Sequence, residues 1–253
     1  MRNSEKALQR SKLIQEQYQR EALNAEAVNA LVEEAIINRK GLSVIRLGDA
    51  MARLLMMHNI KSLDGVAHFL GIPYPPGKKF ILQLRNTIVK ADVVGVSHFK
   101  GGSKLLKQFM HKKKWSPPHL TESFINDQLY YEGYLNYYLR KYRVCLIGRA
   151  AKKASQQLQE QGTTVALVLP LDNYREIKQV LKALHKKKTD FDLVLIGAGV
   201  PGRTLCIKIA KQLHKPAIEI GHMMDAMAEP EDWAKPGNRL RFKRRWLSKK
   251  KTE

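Results

Sequence analysis

Four short apolar runs in the second half of the chain alternate with three helical patterns, and few folds accommodate that order. The runs are Arg143 to Ile147, Thr164 to Leu169, Phe191 to Ile196 and Pro216 to Ile220. Between them lie Ala150 to Glu160, Tyr174 to Lys187 and Arg203 to Leu213. A β-α-β-α-β-α-β order predicts a parallel sheet joined by right-handed crossovers. Several runs are continuously apolar, as expected of strands covered on both faces. Two earlier runs, Leu42 to Leu47 and Asp92 to Val96, read as strands of the same kind. The expected fold class is α/β, a mostly parallel sheet with helices on both faces.

The ends of the chain read differently. Residues 4 to 39 contain neither proline nor glycine, and Leu13, Ile14, Tyr18, Val28, Leu31 and Val32 recur at roughly helical spacing. A long N-terminal helix is predicted there, closed by Asn38 and Gly41. Beyond Pro230 the periodicity dissolves into a cationic stretch that contains Trp246. The chain is therefore divided into an N-terminal helical segment, 1–40, an α/β domain, 41–235, and a basic tail, 236–253. The tail has no periodic apolar face, so its removal is expected to leave the fold intact.

Formal net charge is +22. A field of that sign attracts polyanions: nucleic acid, an anionic membrane surface or a phosphorylated ligand. A solvated lysine-rich surface is the alternative. In the tail, Trp246 has the character of a base-stacking residue among phosphate contacts. Cys145 and Cys206 stand inside apolar runs, which suits small core residues and suggests neither a disulfide framework nor a zinc site. The first residues carry no apolar signal-like stretch, and no window reaches the roughly 18 apolar residues of a membrane span. A cytoplasmic location is expected.

Ligands of parallel sheets bind beyond the carboxyl ends of the strands, so the residues that follow each strand carry the functional reading. After the first strand come Gly48 and Asp49. Asp49 reads either as a carboxylate for a divalent metal or as a helix cap paired with Arg53. Gly148 and Arg149 end a later strand, where helix amides and a guanidinium favour anions, although a tight turn alone also requires glycine. Gly197, Gly199 and Gly202 form a G-x-G-x-x-G, with Glu219 about twenty residues on. A dinucleotide domain needs more strands after that motif than remain here, so mononucleotide or diphosphate contact is the better reading. Gly221, His222 and Asp225 close the last strand. His222 and Asp225 share a face if a helix begins there, and a histidine in a ligand crevice binds phosphate or moves a proton, unless it is structural.

In this order the strand-end segments resemble the GT-D fold glycosyltransferases of bacteria. The resemblance runs from RLGDAM (Arg46 to Met51) through LRNTIVKADVVGV, RVCLIGRAA, VLPLDNYREI and FDLVLIGAGVPGRTLC to AIEIGHMMD, covering residues 41 to 228. It implies a Rossmann-like sheet that binds a nucleotide-sugar and passes the sugar to a glycan or glycosylated protein. On that resemblance Arg46, Gly48, Gly148, Arg149, Gly197, Gly199 and Gly221 are the nucleotide-sugar-binding candidates. Asp49, His222 and Asp225 are the catalytic ones. Asp49 is also the metal candidate, for manganese or magnesium. The family motif has Asp-x-Glu where this chain has Asp49, Ala50 and Met51, and a thioether does not replace a carboxylate for a hard cation. Two readings stay open: an active transferase in which Arg46 and Arg149 neutralise charge, or a non-catalytic member that binds a nucleotide-sugar or a partner. Nucleic-acid binding through the basic surface is a third. If Asp49 is a remnant ligand, Met51→Glu is expected to rebuild the site.

Overall fold

The computed structural model describes residues 2–248, with the side chains of residues 5–242 and 244. Among these residues eight strands form one sheet: β1 (Ala22–Leu23), β2 (Leu42–Leu47), β3 (Val93–Val96), β4 (His119–Glu122), β5 (Val144–Gly148), β6 (Leu167–Leu169), β7 (Leu193–Gly197) and β8 (Pro216–Glu219). Their order is β1-β4-β3-β2-β8-β7-β5-β6, and every pairing is parallel. This is the α/β architecture that the alternation predicts.

Successive side chains of a strand point to opposite faces, so the continuously apolar strands feed two cores. Ile45, Val94, Cys145 and Ile196 face one cluster with Leu54, Leu106, Leu184 and Ile209. Val44, Val93, Leu146 and Leu195 face the other with Val32, Leu129, Leu158 and Met224. Cys145 and Cys206 are both buried and free, as small core residues are.

Three local features depart from the sequence reading. The N-terminal helical stretch is two helices, Arg2–Tyr18 and Ala25–Ile37, with β1 between them. Gln19 turns the chain with a left-handed φ of 53°, and Asn24 caps the second helix on Ala27 N–H. Strand β4 follows directly on the HKKKWSPP segment; its four residues, His-Leu-Thr-Glu, have no apolar run to announce them. The basic tail contains a helix, Asn238–Ser248, that packs on the domain through Phe242, which is 4% exposed. Trp246 lies outside the residues whose side chains are described.

One topological feature positions the site. Strand β5 is followed by the helix Ala151–Glu160, which buries Ala154 and Leu158 on the second core. Its neighbour β7 is followed by the helix Gly199–Leu213, which buries Leu205 and Ile209 on the first. Adjacent strands thus send their chains to opposite faces, and a crevice opens between their carboxyl ends.

Candidate functional site

That crevice encloses about 170 Å³. Its walls include Arg46 from β2, Arg149 and Ala150 after β5, Gly197 and Gly199 at β7, and Gly221, His222 and Asp225 after β8. The structure therefore gathers seven of the candidate site residues, with Glu219 beside them. The amino ends of both switch-point helices, 151–160 and 199–213, border it, and each presents unpaired amides with the positive end of a helix dipole.

The crevice floor is an ion-pair network. Arg46 donates to both oxygens of Glu219, at 2.8 and 3.0 Å, and to Asn126 Oδ1 at 2.7 Å. Arg203 adds a second guanidinium 3.7 Å from Glu219 and donates to the Arg46 carbonyl. Burial works to raise the Glu219 carboxyl, but Arg203 and Arg46 outweigh it and hold Glu219 below the usual carboxylate range. Glu219 is thereby committed to two arginines and is not free to hold a ribose. Arg149 pairs with Asp172 and reaches the His68 carbonyl at 3.5 Å.

The strand-end glycines make room for this network. Gly148 pairs with Gly197 across β5 and β7, and a Cβ on Gly148 would fall 2.4 Å from the Gly197 carbonyl oxygen. A Cβ on Gly221 would fall 2.2 Å from Arg46 Nη2. Close packing of strand ends is thus sufficient reason for glycine at both positions.

His222 links the crevice to residues that sequence reasoning missed. Its Nε2 lies 3.2 Å from Asp127 Oδ1, and its ring stacks on Trp233 at 5.5 Å. Burial holds the imidazole below its ordinary pKa, against the pull of Asp127. Asp127 also receives Arg239 from the C-terminal helix. No motif marks Asp127, which sits in a short helix, Ile125–Tyr131. Arg203 and Asp172 had a signal, since both lie in the segments after β7 and β6.

Gly48 and Asp49 are placed differently. They do not line the crevice; Asp49 lies instead against Ser97 and Gly102, beyond the end of β3. Gly48 is the N-cap and Asp49 the first helical residue. Ser97 Oγ donates to Asp49 Oδ1 at 2.7 Å, and Arg53 donates to Ser62. Met51 is 2% exposed and belongs to the core beneath the same helix. Two residues apart on a helix, positions 49 and 51 point about 200° apart, so the pair diverges. A divalent cation asks for several oxygen ligands. Asp49 and Met51 do not supply that set: Asp49 brings one carboxylate, and Met51 is turned into the core. Among the described residues no group of three or more His, Cys, Asp or Glu side chains is arranged around a common point.

A family model described as the GT-D fold-like domain matches residues 23–227. The chain belongs to the GT-D-like family. The matched span of this GT-D-like domain runs from β1 through His222 and Asp225 and stops before Arg239 and Phe242. No curated protein matches it in sequence. Among solved structures it is similar to one titled "The highly conserved domain of unknown function 1792 has a distinct glycosyltransferase fold". That similarity has a TM-score of 0.54 at 13% identity, covering 88% of this chain and 84% of the other. A second, titled "A New Glycosyltransferase (DUF1792) from Streptococcus sanguinis", has a TM-score of 0.53 at 14% identity over 81% and 82% of the two chains. At these identities the likeness concerns the fold, and the GT-D-like domain has a glycosyltransferase-like fold. No helix among the described residues is long and apolar enough to cross a membrane.

Proposed function

We propose that this GT-D-like domain binds a nucleotide-sugar in the crevice and passes the sugar to a glycan or glycosylated protein acceptor. The observation that carries this reading is the convergence of two helix amino ends with Arg46, Arg149 and Arg203 at the β5/β7 switch point. A diphosphate is the ligand such a place suits, because unpaired amides, helix dipoles and guanidinium groups all favour negative charge. The same groups favour the reaction. Breaking a glycosyl–diphosphate bond builds charge on the leaving diphosphate, and preorganised donors stabilise it more than they stabilise the bound donor. Manganese or magnesium would supply the same neutralisation where a full ligand set existed; here the arginines take that part. The reading includes a cytoplasmic location.

A second reading has its own support. Asp49 bonded to Ser97 and Met51 turned into the core fit a member that binds a nucleotide-sugar without transferring it. One experiment tests binding and another separates the two. A panel of nucleotide-sugars is expected to raise the melting temperature with or without manganese, and Arg149→Ala to abolish the shift. No shift with any donor would defeat both readings. Release of nucleoside diphosphate from the stabilising donor marks a transferase, and binding without release marks the non-catalytic member.

A further inference from the structure

Beside the crevice, beyond the ends of β3 and β4, lies a second cavity of about 630 Å³. Three of its walls are aromatic. Phe99 and Tyr131 are 51% and 49% exposed, and Phe124 lies between Arg10 and Arg239, each 5.2 Å from its ring centroid. The remaining lining is polar: Lys6 and His98 stand beside Asp127, Gln128 and Glu132. Rings left half in water around a concave, otherwise polar space are a binding surface and not a core. A pyranose matches that pattern. Its faces carry C–H groups that pack on aromatic rings, and its rim carries hydroxyls that need carboxylates and amides.

Two routes join this cavity to the crevice. Asp127, on the cavity wall, bonds His222, on the crevice wall. Trp233 donates to the Tyr131 hydroxyl at 3.3 Å and stacks on His222. Asp127 is also incompletely satisfied. Its Oδ1 takes His222 and Arg239, whereas the buried Oδ2 has no hydrogen-bond partner among the described residues. A buried carboxylate oxygen in that state has capacity for a donor. The Arg239 side chain that lies against it is 43% exposed, so a side-chain movement uncovers the carboxylate.

We propose that this cavity seats a sugar ring of the acceptor glycan, with the reacting hydroxyl donating to Asp127 Oδ2; the identification rests on the transferase reading above. In the transfer, that oxygen takes the hydroxyl proton as the acceptor oxygen bonds to the anomeric carbon of the donor. The bond from that carbon to the diphosphate breaks, and its electron pair leaves with the diphosphate. His222, on Oδ1, positions the carboxylate.

The test uses the full chain on a printed array of oligosaccharides, without any donor, and then titrates the oligosaccharide bound best. Phe99→Ala, Tyr131→Ala and Asp127→Asn are compared with the wild type, and each is also melted with and without the stabilising nucleotide-sugar. The exposed positions of Phe99 and Tyr131 keep those two variants folded. At least tenfold weaker oligosaccharide binding in Phe99→Ala and Tyr131→Ala, with the nucleotide-sugar shift unchanged, is the expected result. An array on which the wild type binds nothing overturns the proposal, as does equal binding by the two aromatic variants. If no nucleotide-sugar shifts the melting but the aromatic variants still lose the oligosaccharide, the transferase reading fails and the cavity stands as a glycan site.

Discussion

His222 sits where a positive charge is unwelcome. Burial is the main reason, and Arg46 and Arg239 add to it, while Asp127 pulls the other way without prevailing. The folded imidazole therefore titrates below its ordinary value of 6.5. As pH falls through that value, the unfolded chain takes up the proton first and is favoured. Stability is accordingly retained above about pH 6.5 and lost on acidification towards the lower folded value. His98, also lowered by burial, acts in the same direction. Between about pH 7.5 and about pH 5.5 the wild-type melting temperature should fall, and that of His222→Gln should fall less. Identical slopes would mean that His222 is not held neutral. Met51 makes the second residue-scale prediction. A carboxylate placed at this core position has no partner, and uncompensated buried charge costs on the order of 3–5 kcal/mol. Met51→Glu should lower the urea midpoint accordingly and leave manganese without effect on melting. A manganese-dependent rise in that variant would return Asp49 to the role of metal ligand.

At the scale of elements, the C-terminal helix has a measurable stake in the fold. Phe242 packs against Trp233 at 5.3 Å, Arg239 pairs with Asp127, and Arg241 donates to the Asp232 carbonyl. The stretch 236–253 is strongly cationic and has no periodic apolar face, so its sequence does not announce the apolar contact that Phe242 makes. Deleting those residues should keep a cooperative transition but cost about 2–3 kcal/mol, the worth of one buried aromatic ring. Equilibrium urea unfolding measures this, and an unchanged midpoint would show that the helix contributes nothing. The deletion also removes Arg239 and Phe242 from the small cavity of about 300 Å³ that adjoins His222 and Asp225.

For the whole molecule, charge is the dominant property. With 45 lysines and arginines against 23 acids, the surface field is strongly positive. Basic residues near an anionic bilayer are worth about 1 kcal/mol each, and that attraction decays within a Debye length. Flotation with phosphatidylserine vesicles should show binding at low salt that is lost by about 0.5 M salt, with no binding to neutral vesicles. Salt-independent or lipid-independent flotation would sink this expectation and point instead to an apolar contact.

Much of this fold is legible in sequence because periodicity is local. Continuous apolar runs, helical spacing and glycines after strands mark β2, β3 and β5 to β8 without reference to anything distant. They also place Arg46, Arg149, Gly197, His222 and Asp225 at strand ends, where the crevice is. Two-residue β1 and polar β4 escape because their pairing with neighbours makes them strands, and their own composition does not. The same limit hides the site's logic. Arg46 and Glu219 are 173 residues apart and meet only because β2 lies beside β8 in the sheet. That adjacency turns a motif arginine into half of a buried pair. Strand order likewise sets Asp49 beside Ser97, beyond β3, and brings Asp127 against His222. Strand identity is a property of a few consecutive residues, whereas strand order is decided by long-range packing, and here strand order makes the site.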